Sequence, residues 1–235
     1  MSDPKGIFIT AVELDSLIEI LTRIRQRGES FPTISTVPPV KTPPVSQPVQ
    51  TLTAFKQLIR AGDFLVLDTE TTGLDNAEIC SIAIIDSSGT VLLDSLVKTR
   101  YQIPAGATAI HGITDAMVAN APTWAELSPR VREILFGRDL VVYNATYDRK
   151  MMHQTAERAG LPKTEWKEVC RWWCAMEAFS EVYGEWNDYR QSFKWQKLTT
   201  AASYYKLNTD GAHGALADCN MTLGVCKGMV LEVES

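Results

Sequence analysis

Three separated clusters hold the residue types needed for hydrolytic chemistry. The first is Asp68-Thr69-Glu70-Thr71-Thr72-Gly73, which directly follows the apolar run Phe64-Leu65-Val66-Leu67. A short apolar run ending at an acid is expected of a buried strand. In an extended chain, residues two apart project from the same face, so Asp68 and Glu70 point together. Two adjacent carboxylates repel each other and lose hydration unless a cation joins them. Hard oxygen ligands of this kind suit Mg2+ or Mn2+. An Asp-x-Glu pair alone is common and ordinarily marks an exposed strand end. Its position between the apolar run and Thr-Thr-Gly makes it more specific.

The second cluster is Tyr143-Asn144-Ala145-Thr146-Tyr147-Asp148. It follows another apolar run and places Asp148 in the first turn of a helix. An isolated acid there reads as compensation of the helix dipole. The third is His213-Gly214-Ala215-Leu216-Ala217-Asp218. Five helical residues turn about 140° at ~100° per residue. His213 and Asp218 can therefore face one site only if His213 lies at or just before the helix start. The loop Asn208-Thr209-Asp210-Gly211 permits that. Between the first two clusters lies Ala109-Ile110-His111-Gly112-Ile113-Thr114, where His111 is equally readable as a satisfied structural histidine. His153 has no such context.

In this order the motifs D-T-E-T-T-G, H-G-I-T, N-A-x-Y-D and H-x-x-x-x-D resemble those of the DEDDh family of 3′→5′ exonucleases. That family includes the proofreading subunit of the bacterial replicative polymerase, RNase T and oligoribonuclease. The resemblance runs from about Phe64 to Lys227 and leaves residues 1–50 outside it. It implies an α/β, RNase H-like fold with a five-stranded mixed sheet flanked by helices. It also implies two-metal-ion hydrolysis at a 3′ end of single-stranded DNA or short RNA, releasing nucleoside 5′-monophosphates. In that scheme Asp68, Glu70 and Asp218 hold one Mg2+ or Mn2+ ion. Asp68 also bridges to a second ion, which Asp148 orients. His213 is the general base, a task suited to an imidazole because it titrates near neutrality. Two such cations roughly 4 Å apart can clamp the attacking and leaving oxygens. The resemblance further suggests substrate contacts from Thr71, Leu74, His111 and Asn144. Leu74 would wedge against the terminal base, whereas the first reading of Asn144 is that it ties the turn of its own motif, with a substrate contact as the alternative.

Hydrophobic periodicity sets the secondary structure expected around these groups. Helices are expected over 51–61, 123–135, 145–159, 172–182, 198–206 and 214–230. Strands are expected over 64–67, 78–86, 91–97, 139–143 and 165–170. The Ser88-Gly89 turn joins the second and third strands as an antiparallel hairpin. Three strands followed by alternating strands and helices give a mixed sheet covered on both faces. The stretch from Trp172 to Trp195 is rich in aromatics. Trp172 and Trp173 cannot both face inward on one helix, and the polar interval 184–196 reads as a loop able to close over a single strand.

The first fifty residues differ. Residues 1–28 are expected to form an amphipathic helix carrying Val12, Leu14, Leu17, Ile18, Leu21 and Ile24, stopped at Gly28. Residues 29–50, with six prolines, are expected to form an extended linker. Residues 51–235 are the exonuclease domain. The helix offers a site for a protein partner or self-association, which makes the first fifty residues a docking arm.

The chain has 235 residues, 45% hydrophobic and 22% charged, with a formal charge of −5. That is globular composition, and it argues against a protein held on duplex DNA by charge alone. No run is long enough to span a bilayer and no secretory signal is present, so a cytoplasmic protein is expected. Five cysteines at unpatterned spacings read as buried thiols in a reducing compartment. A non-catalytic nucleic-acid-binding adaptor on the same fold is the competing reading, weakened because every acid and the histidine of the motifs are intact. A replicative proofreader is disfavoured, because the chain ends just after the third motif's helix.

Overall fold

A computed structural model describes residues 47, 48, 50–209 and 212–232. The expected N-terminal helix and nearly all of the Pro-rich stretch lie outside the described residues. Helix α1 (Leu52–Ala61) opens the domain. Thr51 caps it by accepting from the Ala54 N–H, and Gly62 ends it in the left-handed conformation. Next come strands β1 (Leu65–Thr71), β2 (Ile79–Asp86) and β3 (Val91–Leu96). Two short helices, α2 (Ala105–His111) and α3 (Asp115–Val118), carry the His-Gly-Ile-Thr segment. Then follow α4 (Trp124–Leu135), β4 (Asp139–Val142), α5 (Ala145–Arg158), α6 (Trp166–Val169), β5 (Arg171–Cys174) and α7 (Ala175–Tyr183). A ribbon of β6 (Trp186–Asn187) and β7 (Ser192–Phe193) precedes α8 (Leu198–Tyr204) and α9 (Ala215–Leu231).

The main sheet is ordered β3-β2-β1-β4-β5, with antiparallel pairs on the β2–β3 side and parallel pairs from β1 to β5. This is the expected five-stranded mixed sheet. Strand β2 is buried at seven successive positions, Ile79 to Ile85, as befits a strand covered on both faces. Helix α9 packs over β1 and β2, and α5 packs across β1, β2, β4 and β5. Close approach of the segment before α9 requires glycine in that helix. A Cβ on Gly228 would lie 2.5 Å from the Tyr205 ring, and one on Gly224 2.7 Å from Leu207.

The fifth strand differs from expectation. Residues 166–169 are a helical turn, and the strand is Arg171–Cys174, where a helix start was expected. Trp172 and Trp173 are both buried because adjacent strand residues enter opposite covered faces of the sheet. Trp172 Nε1 donates to the Trp166 carbonyl and Trp173 Nε1 to Asp139.

The free edge of β5 is closed by side chains. Gln47 accepts from the Trp172 N–H and donates to the carbonyls of Lys167 and Cys170. Gln50 donates to the Trp172 carbonyl and accepts from the Cys174 N–H. Two amides thus satisfy backbone groups that would otherwise offer pairing to another chain. The five cysteines are buried free thiols, and burial pushes Cys80 and Cys170 up to about 12. No helix among the described residues is long and apolar enough to cross a membrane.

Candidate active site

The site forms where β1 ends. Asp68 and Glu70 are half-buried, whereas Thr69 and Thr71 between and after them are buried, the alternation of a pleated strand. A β-bulge interrupts the β1–β2 ladder between Glu70 and Thr71, where Glu70 pairs with Ser81 but Thr71 with Ile79. Bulges bend a strand and re-aim its side chains, and this one lies immediately beside the acids.

Asp218 reaches the same point from the first turn of α9. Ligand oxygens of Asp68, Glu70 and Asp218 lie within 4.8 Å of one another. His213 lies two residues ahead of α9, exposed, with a left-handed backbone (φ +68°). Its N–H donates to Asp218 Oδ1 at 3.2 Å. Asp148 arrives from the first turn of α5, only 4% exposed, and accepts from Thr69 Oγ1 at 2.7 Å. It lies close enough to raise the pKa of Asp68 but outside the three-residue oxygen cluster.

The electrostatics follow from this crowding. Burial, then the charges of Asp148, Asp218 and Glu70, holds Asp68 well above the usual carboxylate range. Burial and then Asp218 and Asp148 push Glu70 up to about 7. Burial likewise raises Asp148 to about 7, against the hydrogen bond from Thr69. Asp218 is raised by burial and partly relieved by the His213 N–H. Among the described residues, no Lys or Arg forms an ion pair with any of the four. Three converging carboxylates with a fourth alongside, and no protein cation among them, are a donor set that fits a divalent metal. Asp68, Glu70 and Asp218 would hold one ion directly, with Asp148 available beside Asp68.

A cleft of about 710 Å³ opens next to the acids. Its lining includes Glu70, Thr71, Leu74, His111, Asn144 and Tyr147. All four residues expected to touch substrate therefore line one cavity. Leu74 is largely exposed, and the Asn144 side chain makes no capping bond to α5. His111 is braced at both nitrogens. Nδ1 accepts from the Ile113 N–H at 3.0 Å, leaving Nε2–H to donate to the Thr71 carbonyl at 3.2 Å. Its ring thereby fixes the end of β1 while its edge faces the cleft. His153 lies outside this lining.

Sequence reasoning passed over Tyr147 and Thr69. The Tyr147 hydroxyl bonds Thr71 Oγ1 at 2.6 Å and donates to the Gly73 carbonyl at 2.9 Å, joining α5 to the β1 loop. Tyr147 stands inside the quoted second motif, which was the available signal. Thr69 holds Asp148 across 79 positions of sequence, a pairing with no local signature.

A mixed sheet whose parallel strands end at a cluster of three carboxylates with a fourth alongside, beside an open cleft, is the architecture of RNase H-like exonucleases. Residues 65–226 match the sequence profile of the RNase T family, described as Exonuclease, and the chain belongs to that family. It is 46% identical over 167 residues to the uncharacterized exonuclease CP81 of Escherichia phage 186, covering 69% of this chain and 86% of that protein. It is 38% identical over 99 residues to a DNA polymerase III subunit epsilon-like protein of Rhodobacter capsulatus. That match covers 39% of this chain and only 14% of the longer protein. Among solved structures it is similar to exonuclease X in complex with 5′ overhanging duplex DNA. The TM-score is 0.54 at 27% identity, covering 72% of this chain and 92% of the other.

Proposed function

We propose that this exonuclease hydrolyses phosphodiester bonds from the 3′ ends of single-stranded DNA or short RNA and releases nucleoside 5′-monophosphates. The observation that carries the reading is the convergence of Asp68, Glu70 and Asp218, with Asp148 alongside, next to a cleft with room for a terminal nucleotide. Two Mg2+ or Mn2+ ions, held by these four residues, would supply Lewis acidity and neutralise charge at the scissile phosphate. His213, exposed at the mouth of the cluster, accepts the proton of the attacking water. Its backbone N–H bond to Asp218 holds residue 213 beside the acids. Thr71 and Asn144 hold the terminal sugar, and Leu74 abuts its base. His111 keeps the Thr71 carbonyl in place. The catalytic domain is residues 51–235. Residues 1–50 lie outside it and serve as a docking arm for a protein partner or for self-association.

The test is degradation of matched single-stranded DNA, duplex DNA and RNA oligonucleotides, labelled at one end or the other, with Mg2+ or Mn2+. Stepwise loss from the 3′ end, abolished by EDTA and by Asp68→Ala or Asp218→Ala, supports the reading. Equal degradation in EDTA, or shortening from the 5′ end, overturns it.

A further inference from the structure

The ribbon between α7 and α8 is not used by the catalytic cluster, yet it displays large aromatic side chains to solvent. Trp186 is 45% exposed, Tyr189 96% and Trp195 62%. Trp186 and Phe193 are cross-strand partners and share a face, with rings 5.1 Å apart at 82°. The ladder continues through the Lys194 N–H, which donates to the Glu185 carbonyl. Trp195 follows two residues beyond Phe193, past the end of β7. Tyr189 stands at the tip.

A two-stranded ribbon is marginal by itself, but this one is tied down by its polar groups. Lys194 Nζ and Gln196 Nε2 both donate to the Glu185 carboxylate, at 2.6 and 3.2 Å. The Arg190 N–H donates to Asn187 Oδ1, and Gln191 Nε2 to the Asp188 carbonyl. Glu185, Asn187, Gln191, Lys194 and Gln196 are thus engaged within the ribbon, while Trp186, Tyr189 and Trp195 are exposed. Its base is anchored to the catalytic region, because the Tyr143 hydroxyl donates to the Gln196 carbonyl at 3.0 Å. Tyr143 directly precedes Asn144, which lines the cleft. Trp195, adjacent to Gln196, is thus the ribbon ring closest in sequence to that anchor. Tyr189 is at most about 22 Å further along the chain.

We infer that this ribbon is a stacking platform for the unpaired bases on the 5′ side of the terminal nucleotide. The inference rests on the nuclease reading above and extends it to the strand outside the cleft. Exposed rings stack on any base whose π-face is free, and bases within a duplex have no free face. Charge agrees with a nucleic-acid occupant. Glu185 is neutralised by Lys194, and Arg190 and Lys197 outnumber Asp188 on a chain that is acidic overall. The ribbon therefore selects single strands, and longer ones over short ones.

Two measurements separate this from failure of the nuclease reading. Steady-state kinetics with Mg2+ compare a dodecathymidylate with a dithymidylate too short to reach the ribbon, for Trp186→Ala, Tyr189→Ala, Trp195→Ala and Trp195→Phe. Loss of a stacked ring should raise KM for the dodecamer about fivefold or more, leave kcat within about twofold, and leave the dimer unaffected. Trp195→Phe should recover most of the loss. Equal effects on both lengths, or a KM within twofold of the parent, overturn the inference. Independently, tryptophan fluorescence is titrated with the dodecamer in EDTA. Quenching that is lost in the double variant Trp186→Phe/Trp195→Phe supports the platform. Quenching unchanged in that variant, or absent in the parent, overturns it even if no hydrolysis is ever seen.

Discussion

The substitution Asp148→Asn separates stability from activity. Asp148 is buried, accepts from Thr69 at 2.7 Å, and is held at about 7 against an ordinary value of 3.8. Its folded-state pKa is raised, so the folded chain binds more protons than the unfolded chain between about pH 4 and 7. Stability contributed by the neutral acid is complete below the unfolded value and is lost as pH rises through the folded one. A shift of about three units corresponds to roughly 4 kcal/mol well above pH 7, at ~1.4 kcal/mol per unit. Part of that burden is shared with Asp68 and Asp218, so the share removed by one substitution is about 1–3 kcal/mol. Asparagine keeps an oxygen for Thr69 and offers Asp68 a donor in place of a charge. In EDTA near pH 8, urea unfolding should show the variant more stable by that amount, with Tm higher by about 2–9 °C. Near pH 4.5 the advantage should shrink to about a quarter, because the parent acid is then mostly protonated in the folded state. With millimolar Mn2+ the order should reverse, since the parent gains binding energy that the variant forfeits. Hydrolysis should fall at least a hundredfold throughout. A variant less stable than the parent in EDTA at pH 8, or a gain independent of pH, would refute this reasoning.

Two further outcomes follow from packing and edges. Gln47→Ala with Gln50→Ala removes five hydrogen bonds, three to β5 and two to the carbonyls of Lys167 and Cys170 just ahead of it. Because water can replace part of them, urea unfolding should report a loss of roughly 2 kcal/mol. Sedimentation should show new concentration-dependent association through the exposed edge; neither change appearing would contradict the capping role. Gly228→Ala forces a methyl to 2.5 Å from the Tyr205 ring, so it should cost about 1–3 kcal/mol of stability while nuclease activity at low temperature persists.

The placement of the acids was legible because it follows local periodicity. Asp68 and Glu70 share a face through the strand repeat, and Asp148 and Asp218 fall in first turns after recognisable starts. His213 sits just ahead of its helix, as the turn angle to Asp218 demanded. The fifth strand was misplaced by a few residues because Arg-Trp-Trp-Cys carries no alternation. Burial on both faces erases the signal that marks a half-exposed strand. Helices α2 and α3 are short and contain little apolar pattern, with no buried residue in the first and only Val118 in the second. The contacts of Thr69 with Asp148, Tyr147 with Thr71, and Gln47 with β5 each join residues more than 70 positions apart. Nothing in the neighbouring sequence announces such pairs, because they exist only once the sheet has assembled.

The most direct measurement is anomalous scattering from crystals equilibrated with Mn2+. The account predicts one peak enclosed by carboxylate oxygens of Asp68, Glu70 and Asp218, and a second between Asp68 and Asp148. Clean density for those four side chains with no manganese among them would contradict it.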